Sequence, residues 1–382
     1  MDPSCDIVVV AEPRFSGGSA SALIADVHAL RHLGARVGLL PVASAFFAGA
    51  QDRPNEQVLT LADHDDVVLL EGQGPVRCEM AFFHHPLTFD FPIEETCAIT
   101  ADHALLVAHH PPFRGDGSLE YDPLSVVSRV ARNFGIRPVF APVSGAVRRQ
   151  LRSFAPLLPL STVDWVNIFD PADWTPKRPV FDGGTRTLGR HSRPDMLKWP
   201  ETRQEIEVAL NHGPDWQTTV MGCPEGELRA LGVAMSDWSI LQFNSVPVSD
   251  FLESLDAFVY HYSTRWVEAF GRTIVEALLM ERPCILDPRL EPTFGDLAEY
   301  AKPAEVAGCL DQIAQRPDET QRLAAERRRA VLETYDAASI ERRLQRIRSG
   351  SAVRSRAGGV EYGPLTTVRK QIGLRRRRAG HG

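Results

Sequence analysis

Two glutamates frame the stretch EAFGRTIVE, Glu268 and Glu276, with a Phe270-Gly271 pair just inside the first and the apolar run ALLM behind the second. A helix that starts near Arg272 leaves the backbone N–H groups of Gly271, Arg272 and Thr273 without intrahelical partners. Those donors and the helix dipole together make a site for a phosphate or diphosphate. Gly271 lets such a ligand approach the backbone closely. Glu276, about one turn inside the helix, can accept hydrogen bonds from a vicinal diol such as a ribose. Glu268, on the loop side, can reach hydroxyls beyond the diphosphate. Two carboxylates around an anion-binding turn suit a ligand of the form nucleoside-diphosphate-sugar. The same residues also suit a plain acidic helix start, favourable with the dipole, with Glu276 exposed to solvent.

Three cations lie within GRHSRPDMLKWP: Arg190, Arg193 and Lys198. A pair of them beside a departing diphosphate would stabilise its developing charge; a solvated basic loop is the other reading. Two histidine pairs, His84-His85 and His109-His110, each follow an apolar run that reads as a strand. Open α/β sheets bind ligands at such strand ends. Neither carboxylate ligands at fixed spacing nor a His-x3-His pattern accompanies them, so no metal site is expected. Gly17 and Gly18, after the first strand, can bring backbone amides near a sugar phosphate. The six cysteines show no CxxC and no Cys/His ligand spacing, and read as small core residues of a reduced protein.

The elements that must hold these groups follow from the hydrophobic pattern. DIVVV (6–10) is a β-branched run of the kind buried in a parallel sheet. SALIADVHALRHLG follows at helical spacing, with Gly34 as its stop. Further strands are expected at ARVGLLPV, 65–71, 80–85, 103–110 and 137–143. After FDPADWTPKRP the alternation restarts, with strands at 185–190, 217–224, DWSILQF, 256–262 and 282–288, and a helix at ETRQEIEVALNH. This alternation means βαβ units and doubly wound parallel sheets. At 382 residues, 43% of them hydrophobic, the chain suits about two such domains. The expected division is 1–171, 172–347 with a closing helix at about 318–347, and a basic disordered tail over 348–382.

The formal net charge of −7 argues against a nucleic-acid partner. The amino terminus carries acids where a signal peptide needs bases, and no stretch reaches the ~20 apolar residues that span a bilayer. A cytoplasmic protein is expected. The tail holds nine Lys or Arg against the single acid Glu361, including Arg369, Lys370 and Arg375 to Arg378. It suits peripheral contact with the inner face of an anionic membrane; a solvated tail and a protein-docking tail are the other two readings.

These features together resemble the retaining glycosyltransferases of family 4. Glu268 and Glu276 match that family's E-x7-E segment. FSGGSASALIADVHALRHLGARVGLL is similar to its glycine loop and first helix. LPLSTVDWVNIFDP is similar to the segment that ends its first domain, and LGR (188–190) to the strand that opens its second. The resemblance implies a GT-B fold, with two Rossmann-like domains facing a central cleft that holds the active site. It also implies transfer of a sugar from a nucleotide-sugar donor to a glycan, lipid-linked or small-molecule acceptor. No protein nucleophile stands out, so the implied mechanism is front-face displacement with retention.

On this resemblance Glu268, Arg190, Lys198 and His109 are the catalytic set. Glu276, Phe270, Gly271, Arg272, Thr273, Gly17, Gly18 and Arg193 bind the donor. His110 is the alternative to His109, while His84 and His85 line the cleft or fill core. No cofactor is expected, and the cations stand in for a metal. Two departures from the family pattern stand out. Glu281 occupies a position where the family has glycine after the helix, and the Arg190-to-Lys198 spacing is stretched. Two rival readings follow: an epimerase of the same fold acting on the donor, and a non-catalytic homologue that only binds nucleotide.

Overall fold

The computed structural model of the chain describes residues 5–49, 53–70, 74–94, 97–350 and 352–379. Its strands form two separate six-stranded sheets, every paired register parallel. The first contains β1 (Ile7–Ala11), β2 (Val37–Pro41), β3 (Val67–Leu69), β4 (Val76–His84), β5 (Ile99–Ala108) and β6 (Val139–Pro142). Its order is β3-β2-β1-β4-β5-β6. All five residues of β1 are buried, as a central strand covered on both faces requires.

The second sheet contains β7 (Arg186–His191), β8 (Trp216–Met221), β9 (Trp238–Leu241), β10 (Ala257–Tyr260), β11 (Cys284–Leu286) and β12 (Glu299–Tyr300). Its order, β12-β11-β10-β7-β8-β9, is the same topology in the same chain sequence. In both sheets the strand order reverses beside the first strand, between β1 and β4 and between β7 and β10. Open α/β sheets bind ligands at this switch point, outside the carboxyl ends of the strands. Gly189 has a packing reason within β7: a Cβ there would stand 2.1 Å from the Thr219 carbonyl oxygen of β8.

The expected strands are all present, trimmed or extended by a few residues at their ends; Glu71 lies outside the described residues. The short edge strand β12 was not foreseen, because two residues of EY carry no periodicity. The helix expected at ETRQEIEVALNH is Arg203–Leu210, opened by a capping box between Thr202 and Glu205.

The division of the chain differs from the expected one. One unit comprises the residues up to Ile168 together with those from Ala337 onward, and the other is Phe169–Asp336. The closing helix is two helices, Pro317–Tyr335 and Ser339–Ser349, separated at Asp336, whose backbone is extended (φ −63°, ψ 142°). The first belongs to the second unit, where the Tyr335 carbonyl accepts from Phe169 N at 2.8 Å. The second is tied to the first unit by Arg343, which donates to the Val166 carbonyl at 2.6 Å, and by Arg348, paired with Glu79 at 2.5 Å. An unbroken Arg/Glu-rich pattern hides this break, since both helices are solvated on one side.

The described residues of the tail, 352–379, are also not disordered. Val353 pairs with Leu160, and Arg356 donates to the carbonyls of Ser153 (2.6 Å) and Ala155 (2.9 Å). A helix, Pro364–Ala379, then docks on the first unit. Its cations find fixed acceptors: Lys370 the Gly117 carbonyl, Arg377 the Leu119 carbonyl, and Arg378 the buried Asp90. Low hydrophobicity suggested disorder, but charge-assisted bonds to buried acceptors order this segment.

All six cysteines are free thiols. Among the described residues no helix is long and apolar enough to cross a membrane.

Candidate active site

The second unit gathers most of the expected site at its switch point. β10 ends at Tyr260, and the chain passes through Glu268 to the helix Arg272–Leu279. Gly271 is its N-cap, with left-handed backbone (φ 84°, ψ 53°). A Cβ there would also crowd Ile274 Cδ1 at 3.0 Å and Phe294 at 3.2 Å, which with the positive φ favours glycine. The first bond of the helix runs from Ile274 N to Gly271 O at 3.0 Å, which places the N–H groups of Arg272 and Thr273 ahead of the ladder. Phe270, expected to bind donor, has a buried ring that packs on Tyr335 at 5.7 Å between centroids and anchors the turn.

Glu268 is the centre of a half-buried polar cluster. Its Oε2 accepts from Lys198 Nζ at 2.6 Å and from the Tyr260 hydroxyl at 3.0 Å. Burial pushes this carboxyl up, but the Lys198 ammonium and its hydrogen bond outweigh burial and hold it below the usual range. It is therefore an ionised carboxylate at neutral pH. Lys198 also lies 4.7 Å from the centroid of the Trp266 ring.

The stretched spacing before Lys198 has a local cause. Asp195 caps a single turn, Met196–Lys198, by accepting from Leu197 N at 2.9 Å. That turn returns the lysine to the end of the sheet.

Arg190 does not stand beside Lys198 as a second open cation. It is 2% exposed, and Nη1 donates to the His261 carbonyl at 2.7 Å while Nη2 donates to the Lys198 carbonyl. Its guanidinium lies 4.3 Å over the Trp199 ring and 4.6 Å over Tyr260. This arginine fixes the backbone that carries Lys198. Burial lowers its pKa to about 10, which still leaves it charged. Arg193, past the end of β7, is exposed.

Glu276 is 6% exposed rather than solvated. Its Oε1 pairs with Arg272 Nε at 3.0 Å, one turn earlier, and its Oε2 lies 3.3 Å from His191 Nε2. Arg272 also stacks 4.3 Å over the Phe169 ring. Burial raises the Glu276 carboxyl to about 7, against the opposing pull of Arg272. Burial lowers His191 to about 3, so that ring is neutral. At the far end of the helix, Glu281 adopts φ 57°, and Arg282 N bonds to the Ala277 carbonyl at 2.9 Å. The left-handed C-terminal residue is thus retained without glycine.

The first unit has its own cluster at its switch point. Gly17 (φ 66°) precedes the helix Gly18–His32, and a Cβ on Gly18 would meet nothing within 4 Å. His84 ends β4, and its Nδ1 lies 3.1 Å from Nε2 of His109, just past β5. His85, at φ 70°, stacks on Phe15 with centroids 3.9 Å apart. Burial lowers His109 to about 4 and holds His84 and His85 well below the ordinary histidine range, so all three are neutral. A small pocket here is lined by Glu12, Phe15, Ser19, His84, His85 and His109. Glu12 accepts from Ser44 N at 2.6 Å and pairs with Arg14 at 2.7 Å. Among the described residues no group of three or more His, Cys, Asp or Glu side chains is placed to hold a metal ion.

Tyr260, Trp266, His191, Glu12 and Phe15 were not foreseen. Tyr260 and His191 carried a weak signal, since each stands at the carboxyl end of a strand beside the switch point. Trp266, in a loop, carried none.

A scan against protein-family models and a search of curated proteins found no match. Solved structures do match over nearly the whole chain. Anabaena HepE, in complex with UDP and glucose, is 14% identical, covering 90% of this chain and 99% of that one at a TM-score of 0.58. A glycosyltransferase from Rickettsia africae is 14% identical over 91% and 98%, at 0.59. The sucrose-phosphate synthase of Thermosynechococcus elongatus is 12% identical over 90% and 99%, at 0.57. The chain shares their fold, the GT-B type with two Rossmann-like domains.

Proposed function

We propose that the chain is a retaining glycosyltransferase that moves a sugar from a uridine-diphosphate sugar to a hydroxyl acceptor. The observation that carries this is the second unit's switch point: left-handed Gly271 opens a helix, with half-buried Glu268 and buried Glu276 on either side of it. HepE complexes with UDP and with UDP-glucose support the choice of donor.

The donor diphosphate sits against the N–H groups of Gly271, Arg272 and Thr273, with Lys198 as its principal counter-charge. Arg193 is the second cation, and Arg190 acts as a positioning residue through the Lys198 backbone. Glu276 accepts from the ribose diol and Glu268 from sugar hydroxyls. His109, with the amides near Gly17 and Gly18, serves the sugar and the reacting carbon. The new bond forms between the acceptor oxygen and the anomeric carbon. The bond from that carbon to the phosphate oxygen breaks, the diphosphate leaves with the electron pair, and it takes up the acceptor proton. The protein supplies positioning and charge stabilisation. No metal is assigned a part in this step.

The test is incubation with UDP-glucose and a panel of glycan, lipid-linked and small hydroxylated acceptors, with and without EDTA. Release of UDP with formation of a glycoside of unchanged anomeric configuration is expected in both conditions. An epimerised donor would establish the epimerase reading instead. Binding of UDP with no turnover on any acceptor would favour a non-catalytic homologue. Loss of activity in EDTA, restored by Mn²⁺ or Mg²⁺, would remove Lys198 as the principal counter-charge.

A further inference from the structure

The helix Pro364–Ala379 has two faces of different character. One face is docked on the first unit. Thr367 and Leu374 are buried, and Lys370, Gln371, Arg377 and Arg378 bond to Gly117, Asp122, Leu119 and Asp90. The other face carries Leu365 (78% exposed), Val368 (52%) and Ile372 (45%). Their spacing of three and four residues makes one stripe along the helix. Arg369 and Arg376 flank that stripe, with exposed Arg375 at its edge, 3.8 Å from Asp122, and no acidic residue occurs anywhere in the helix.

We propose that this helix is an interfacial anchor, laying Leu365, Val368 and Ile372 into the surface of an anionic lipid bilayer. An apolar stripe flanked by arginines is the pattern that lies in the headgroup region, where neither the apolar contact nor the charge alone holds firmly. Charge complementarity selects the lipid. The chain as a whole is at −7, so this cationic face attracts an anionic surface against the overall balance. Three apolar side chains fall well short of the ~800 Å² per partner that a stable protein interface buries, which disfavours a second copy. The docked face also joins the anchor to the reaction side of the unit. Gly117, Leu119 and Asp122 belong to the loop that begins with His109 and His110 after β5. A lipid-borne acceptor would thereby be presented to that loop. The anchor itself does not depend on the glycosyl-transfer reading.

The experiment is sedimentation of the full chain with vesicles of phosphatidylcholine mixed with phosphatidylglycerol, and with phosphatidylcholine alone. Two triple variants accompany it: L365Q/V368Q/I372Q and R369Q/R375Q/R376Q. The parent should bind the anionic vesicles, more weakly as salt rises, and leave the neutral ones. The apolar triple should lower the partition coefficient by about tenfold or more. The arginine triple should lower it by about fivefold per charge. Unchanged thermal unfolding of both variants shows that the fold is intact; all six side chains are exposed, and the Arg375–Asp122 pair is long at 3.8 Å. Binding by either variant equal to the parent's, or equal binding to neutral vesicles, overturns the proposal. So does a parent dimer in solution that the apolar triple dissociates while vesicle binding persists.

Discussion

The two units carry the same strand order, yet their switch points hold opposite chemistry. The second unit's is charged: Lys198 on Glu268 and Arg272 on Glu276, each pair buried or half-buried. The first unit's is dominated by a stack of histidines whose burial keeps them unprotonated, with an apolar ring beside them and one ion pair, Glu12 with Arg14, at its edge. Topology decides where a site falls, and the side chains at the strand ends decide what it can bind. A diphosphate needs fixed positive charge and free amides, and on the proposed reading the second unit would supply both. On the proposed reading, neutral imidazoles would serve hydrogen bonding near a sugar without competing for that charge.

The sharpest way to break this contrast is to remove the charge on one side. Lys198→Ala should lower kcat by about 10²–10³-fold, the loss seen when one donor to a developing charge is deleted. His109→Asn should lower it by about fivefold to tenfold, the worth of one hydrogen bond. Steady-state kinetics of UDP release reads both. A larger loss for His109→Asn than for Lys198→Ala would reverse the division of labour between the two units.

Next in size is the diol site. Glu276→Gln should weaken UDP binding by ~1–3 kcal/mol in calorimetry, because a carboxylate acceptor is lost. The parent's affinity should also fall as pH drops through about 7, where Glu276 takes up a proton, while the variant's stays flat. The stability effect has the opposite direction. A carboxyl raised in the fold binds a proton that the unfolded chain releases. Its contribution is present at low pH and is lost as pH rises from the ordinary glutamate range through about 7. Asp26 of the first unit, also raised to about 7 by burial and held by Trp165 Nε1 at 2.8 Å, behaves alike. Each of Glu276→Gln and Asp26→Asn should remove a decline of up to ~1.4 kcal/mol per pH unit in denaturant titrations. Only the first should alter UDP binding.

The smallest effects come from the two glycine loops. Gly271→Ala should destabilise by ~1–2 kcal/mol, since φ 84° and the crowding from Ile274 both oppose a side chain. Gly18→Ala, with open space at its Cβ, should change stability by no more than ~0.5 kcal/mol. A thermal melt compares the two. Equal melting temperatures would mean that the turn at Gly271 relaxes, and that its amides are not held rigidly for an anion.

The features legible before folding were those encoded by neighbours in the chain. β-branched runs between turn residues marked the strands, because a central parallel strand must be apolar on both faces. The segment from Glu268 to Glu276 announced its turn and helix, because a left-handed glycine before an apolar helical run is a local conformational statement. The histidine pairs announced themselves as strand ends for the same reason.

What the spacing of residues could not convey was pairing across distance. Nothing near Arg190 says that Trp199 and Tyr260 will enclose it, or that it will donate to the backbone of Lys198 instead of facing a ligand. Nothing near Glu276 says that it will be buried against Arg272 and His191, with a carboxyl raised to about 7. The return of the chain to the first unit at Ala337, and the ordering of its basic tail, depend on acceptors such as Val166 O, Gly117 O and Asp90 far back in the chain. Local backbone preference is a property of a few consecutive residues. Burial, and the pKa and pairing that burial imposes, exist only once distant segments have excluded water together.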